Sequence, residues 1–227
     1  MNRFAPLILL GLLLGGGCST EPPIAIIDTT DYCVNGGTFR ETIELNGVAI
    51  GATETTFEIG ADKMLIVRTT NQIESDGELQ MKTTTVSRYA ADGTFAGGNG
   101  TVWTAATGET QEYAIPDEAP DGSAAVVLAL LRKPLRPDEK MIVTYYDPTT
   151  QQEATVTLHR RREPFTVPAG VLATEAVHLQ SITAILSCGD IQQRMTILCD
   201  ARGNIFQTDF DLGESRMIVR RQEDSSS

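Results

Sequence analysis

The chain has 227 residues, a formal net charge of −12 and 41% hydrophobic residues, which suffices for one domain of ordinary size, or at most two small ones. So negative a chain repels nucleic-acid phosphates and anionic lipid surfaces, so no nucleic-acid partner is expected and membrane attachment must come from something other than charge. Beyond the N-terminus no apolar run approaches membrane-spanning length.

The chain opens MNRFAPLILLGLLLGGGC. One positive charge, Arg3, precedes an uncharged stretch over residues 4–17 that is shorter than the roughly 20 residues of a spanning helix, and small residues lead into Cys18. This pattern is similar to a bacterial lipoprotein signal, with cleavage after Gly17 and lipid on Cys18. Leu14 sits one place earlier than the usual leucine, where Gly15 stands, so an ordinary secretory signal cut at Gly15 and Gly17 is the competing reading. Ser19 after the cysteine favours the outer membrane over inner-membrane retention. Removing Arg3 with the signal takes the net charge from −12 to −13, so the several acyl chains of a lipoprotein, which anchor stably where one would not, must hold the protein to its membrane.

Residues 1–17 are thus expected to be signal, 18–37 a tether with one apolar patch at Ile24 to Ile27, 38–222 a single β-rich domain and 223–227 a disordered tail. Within the domain, runs rich in Thr, Val, Ile and aromatics are punctuated by Asn46-Gly47, Asp76-Gly77, Asp92-Gly93, Asp121-Gly122, Gly189-Asp190 and Arg202-Gly203-Asn204, which are hairpin signals. In LQMKTTTVSRY, period-two alternation puts Leu79, Met81, Thr83 and Thr85 on one face and Lys82, Thr84, Val86 and Arg88 on the other. The runs from Met64, Glu153, Ala173, Arg194 and Ile205 alternate likewise, so the expected fold is mainly β, a long, curved, half-barrel-like antiparallel sheet. One segment breaks the period: after Ser123, a possible cap, AAVVLALLRKP has eight apolar residues without alternation, then Arg132, Lys133 and the stop at Pro134. A short helix over 124–132 is expected, buried in the concavity because it is apolar all round. A buried strand is the alternative, since Val126 and Val127 favour strands.

Chemistry-bearing motifs are sparse. Pro168 and Gly170 build a turn, and DARGN at 200–204 lacks the alternating oxygen ligands of a calcium loop. The two histidines, His159 and His178, have no C-x-x-C or H-x-x-x-H spacing around them, so no metal, cofactor or catalytic residue is expected. Arg160, Arg161 and Arg162 suit a carboxylate or phosphate partner, or else form a solvated edge that discourages sheet aggregation. Together with Val127, Leu128 and Leu131 they are the candidate ligand or partner face. Past Cys18 an odd number of cysteines remains, Cys33, Cys188 and Cys199, which allows one internal disulfide. If the strands around Gly189-Asp190 pair, Cys188 faces Ile191 and Cys199 faces Gln180, beyond the Cα limit of about 7 Å for a bridge. Cys199 then shares a buried face with Met195 and Ile197, while Cys188 lies at an exposed rim, where Cys33 is its expected partner.

Two stretches also resemble a known family. ETIELNGVAIGATETTFEI with YAADGTFAGG, and then LALLRKPLRPDEKMIVTYYD, FTVPAGVLATEAVHL and CDARGNIFQTDFDL, are similar in kind and order to a β-rich envelope domain of unknown function grouped with TapB-like domains. Its curved sheet is similar to the half-barrels of the lipoprotein carriers LolA and LolB. Asp138 stands at a usual turn glycine, and Cys199 at a usual tryptophan or other apolar residue. Many relatives continue into a transglutaminase-like domain, whereas this chain stops at Ser227. The resemblance implies the fold and an envelope location but no activity. The expected function is a membrane-anchored, non-enzymatic binding or scaffolding module whose partner is an envelope protein or an apolar ligand. The alternatives are a structural accessory with a self-filled core, or a carrier of an apolar ligand in a half-barrel cavity.

Overall fold

A computed structural model describes residues 37–222 apart from 61, 120, 123, 148, 149, 151, 168–176 and 202; for 161, 163–167, 177 and 178 it describes the backbone alone. The signal, Cys18, Cys33, the tether up to 36, the tail from 223, the Pro168 turn and the Ser123 cap therefore lie outside the described residues.

The turn dipeptides act where a left-handed backbone is needed. Asn46 and Gly47 have φ of 51° and 82°, and Asp76 and Gly77 have 55° and 78°, the paired positive values of a type I′ turn, whose twist matches that of the strands it joins. They connect β1 (Thr38–Leu45) to β2 (Val48–Ile59) and β3 (Leu65–Ser75) to β4 (Glu78–Tyr89). The meander continues through β5 (Phe95–Thr104) and β6 (Thr110–Ile115). After helix α1 (Ala125–Arg132) come β7 (Lys140–Asp147), β8 (Gln152–Val167), β9 (Val177–Cys188), β10 (Ile191–Cys199), β11 (Ile205–Asp211) and β12 (Arg216–Arg221).

All twelve strands form one antiparallel sheet in the order β6-β5-β4-β3-β2-β1-β12-β11-β10-β9-β8-β7. The first strand pairs with the last, Ile43 opposite Val219 and Leu45 opposite Met217, which fuses two six-strand meanders into a nearly closed barrel. Its edges, β6 and β7, are joined by the segment that carries α1. Closure is thus taken further than the half-barrel expected from alternation, because strand number and the β1–β12 pairing are not local properties.

Helix α1 plugs the barrel. Six of its eight residues are buried, among them Val127, Leu128 and Leu131 at 0–1% exposure, and its N-cap, Ala124, contributes no side-chain hydrogen bond. Its C-terminal end is held by Arg132, which donates to the Gly93 carbonyl at 2.5 Å, and by the Lys133–Glu139 ion pair at 2.7 Å. At Gly203 (φ 88°) a Cβ would meet the Leu130 carbonyl oxygen at 2.6 Å, so this turn is glycine both for its backbone and for the close approach of the helix. Asp121-Gly122, read above as a hairpin signal, instead leads into α1. Asp138 has φ of 64°, a left-handed conformation that a glycine would adopt without strain.

Candidate functional site inside the barrel

The barrel interior has two chemistries. From β7 to β11 the inward residues are mostly apolar: Val143 and Tyr145, then Val156 and Leu158, Ala184 and Leu186, Met195 and Ile197, and Phe210, all buried. From β1 to β4 the same alternation turns Thr, Asn and Glu inward. Glu41 on β1 faces Thr53 on β2, Thr53 faces Asn71 on β3, and Asn71 faces Thr83 on β4, so one cross-strand row is polar from end to end. The next row is Thr55, Thr69 and Thr85. Glu41 is 2%, Asn71 2% and Thr83 1% exposed. Apolar rows close the belt on either side, Ile43, Ile73 and Met81 beyond one edge and Phe57 and Val67 beyond the other.

Part of this belt pairs internally. Thr53 donates to Asn71 Oδ1 at 2.8 Å, and the Thr55 and Thr69 hydroxyls lie 3.3 Å apart. On edge strand β6, Tyr113 reaches over Gly100 to place its hydroxyl 2.7 Å from Thr85 Oγ1. A Cβ on Gly100 would collide with that ring and with the Thr84 carbonyl. Burial pushes the Tyr113 hydroxyl up to about 12, the Thr85 hydrogen bond opposing and Asp147 adding to it. Among the described residues Glu41 Oε2, Asn71 Nδ2 and Thr83 Oγ1 have no hydrogen-bond partner. Burial pushes the Glu41 carboxyl up to about 8, opposed by the Arg221 guanidinium, which itself lies 4.0 Å from the Phe39 ring centroid. Buried polar atoms without partners are uncommon and costly, so three in one cross-strand row, two of them directly opposite each other, mark this row as the candidate site. The signal was legible in FRETIEL, where a carboxylate stands at strand period between Phe39 and Ile43, and in the threonines that share a face with Met81; the threonines read instead as strand formers.

The residues singled out from sequence fall elsewhere. Val127, Leu128 and Leu131 are core and offer no face to a partner in this conformation. The arginine run divides: strand β8 lies between β7 and β9 and is not an edge, Arg160 donates to the Leu135 carbonyl at 2.6 Å, Arg162 pairs with Asp138 at 3.0 Å on the surface, and the side chain of Arg161 is outside the described residues. His159 lies opposite Lys140 and Thr183, and the His178 side chain is not described. The cysteine register is as expected, Cys188 opposite Ile191 and Cys199 opposite Gln180, and the two are not bonded to each other. Cys188 is not at an exposed rim: it is 3% exposed, with Sγ 3.2 Å from Thr150 Oγ1. Because that hydroxyl donates to Asp147 Oδ2 at 2.6 Å, the thiol is the donor to it. Cys199 is buried and its thiol is pushed up to about 12, by burial first and Asp200 second, which makes it a poor nucleophile.

No family model and no curated protein matches this chain. Among solved structures, the β-barrel-like protein of the domain of unknown function DUF1849 from Brucella abortus is similar over 82% of this chain and 94% of its own, at 11% identity and a TM-score of 0.50. A protein with a YmcC-like fold from Bacteroides fragilis aligns over 82% and 95%, at 9% identity and a TM-score of 0.37. The hypothetical lipoprotein YmcC from Escherichia coli aligns over 82% and 86%, at 10% and 0.36. The first of these likenesses shows the fold alone: the chain is a β-barrel-like domain.

Proposed function

We propose that this protein is a lipid-anchored module of the bacterial envelope, attached through Cys18, facing the periplasm from the outer membrane or displayed at the cell surface, that binds or scaffolds another envelope protein and catalyses no reaction. The observation that carries the reading is the buried α1: its side chains belong to one core with the inward apolar residues of the barrel, which argues for a self-filled core over an apolar-ligand carrier and moves recognition to the outside. There, β7 is a sheet edge, and Ile142 is 68% exposed on the same outer row as Ile185, 43% exposed, with Thr157 between them. The Asp121 carbonyl takes the Tyr146 N–H at one end of β7, so the stretch of edge beside the exposed isoleucines is what suits addition of an extended segment from a partner. The resemblance to TapB-like domains supports the envelope location.

Two measurements test the proposal. Cys18→Ser should move the protein from the membrane pellet to the soluble envelope fraction with its far-UV circular dichroism unchanged, and a mutant that stays in the pellet refutes the anchor. A fluorescent fatty-acid probe should show no saturable binding to the lipid-free protein, whereas stoichiometric binding would restore the carrier.

A further inference from the structure

The polar row inside the barrel carries an assignment independent of that reading. Glu41, Asn71 and Thr83 are each at least 98% buried, on strands β1, β3 and β4, and each leaves a polar atom unpartnered among the described residues. Thr53, between Glu41 and Asn71, uses its hydroxyl on Asn71 Oδ1, so the amide is oriented with its N–H donors left over. The site therefore presents a carboxyl oxygen, an amide donor and a hydroxyl. A guest must accept from Asn71 while bonding Glu41 and Thr83. An anion would bring an unpaired charge into a row this deeply buried, which is costly, and a cation would face the amide donors with Arg221 opposite Glu41 in the same row. A neutral oxygen that both donates and accepts suits each of the three, and a buried water typically takes two to four such partners.

We infer that Glu41, Asn71 and Thr83 form a buried site for a hydroxyl oxygen, filled by an ordered water or by the hydroxyl of a small polyol. Size sets the first of these as the guest of the closed barrel, since the flanking Thr53 and Thr69 are only 1% and 3% exposed. A route for the second is built into the register: the row runs on from Thr83 to Val102 on β5 and Gln111 on β6, and Gln111 is exposed at the open edge.

Crystals of the lipid-free protein grown without polyols should show one oxygen within about 2.7–3.2 Å of at least two of the three atoms. After a glycerol soak, an unchanged single oxygen identifies water, and density extending from it toward Val102 identifies the polyol; both outcomes support the site. A site without density, or side chains that turn to bond one another directly, overturns it. In solution, Thr83→Val and the double variant Asn71→Leu/Thr83→Val should each lose a long-lived internal water by oxygen-17 relaxation dispersion, and an unchanged signal in a variant with native circular dichroism would equally overturn the assignment.

Discussion

The two halves of the barrel interior solve the same packing problem with different chemistry. Around α1 the space is filled by Leu128, Leu130 and Leu131, which join the inward apolar residues of β7 to β11 in one core, and stability there comes from apolar area removed from water and from close packing. Between β1 and β4 threonines, Asn71 and Glu41 face inward and depend on hydrogen bonds whose net worth is small and whose absence is costly. The helical half should therefore respond to lost volume, and the threonine half to lost partners and to pH.

The largest effect should come from truncating the helix. Leu128→Ala or Leu131→Ala should lower the unfolding free energy by about 2–5 kcal/mol, measured by urea denaturation, and a loss below about 0.5 kcal/mol at both would put α1 on the surface. Gly203→Ala adds a methyl toward the Leu130 carbonyl at a positive φ, and should cost more than about 1 kcal/mol in the same assay. In the other half, a pH scan isolates Glu41. Its folded value of about 8 lies above its ordinary 4.5, so the folded state holds the proton more tightly than the unfolded chain. That contribution is fully present below pH 4.5 and is lost as pH rises to about 8. Glu41→Gln should flatten this fall in the denaturation midpoint across the window, and an unaltered slope would assign it to other groups. Replacing both Thr55 and Thr69 by Val removes a mutually satisfied pair with little change of shape, and should alter stability by less than about 1 kcal/mol; a loss as large as that of Leu128→Ala would erase the contrast between the halves. Smallest of all, Asp138→Gly breaks the surface pair with Arg162, worth about 0–1 kcal/mol at most, while relieving the positive φ at 138, so the midpoint should stay put or rise.

Much of the fold was legible because it rests on short-range rules. Alternation located the strands, Asn46-Gly47 and Asp76-Gly77 set two hairpins, and the unbroken apolar run before Arg132 gave the helix to within a residue at its start. Even the register at Cys188 and Cys199 followed from one turn. The candidate site was harder to read, since Thr53, Asn71 and Thr83 are unremarkable in their own strands and gain their meaning only as neighbours. Cys188 misled for a related reason: a residue beside a turn is expected at the rim, but Thr150, 38 positions away, covers it.

By itself the sequence determined the β class, the turn positions and the apolar character of α1, because each depends on residues within a few positions of one another. Tertiary structure alone decided that β1 closes on β12, that α1 lies inside with its leucines withdrawn from any partner, that Arg160 and Arg162 are engaged separately, and that Glu41, Asn71 and Thr83 share one row. Those outcomes depend on strand pairings that bring distant residues together, and period-two alternation says which face a residue takes without saying what stands opposite it.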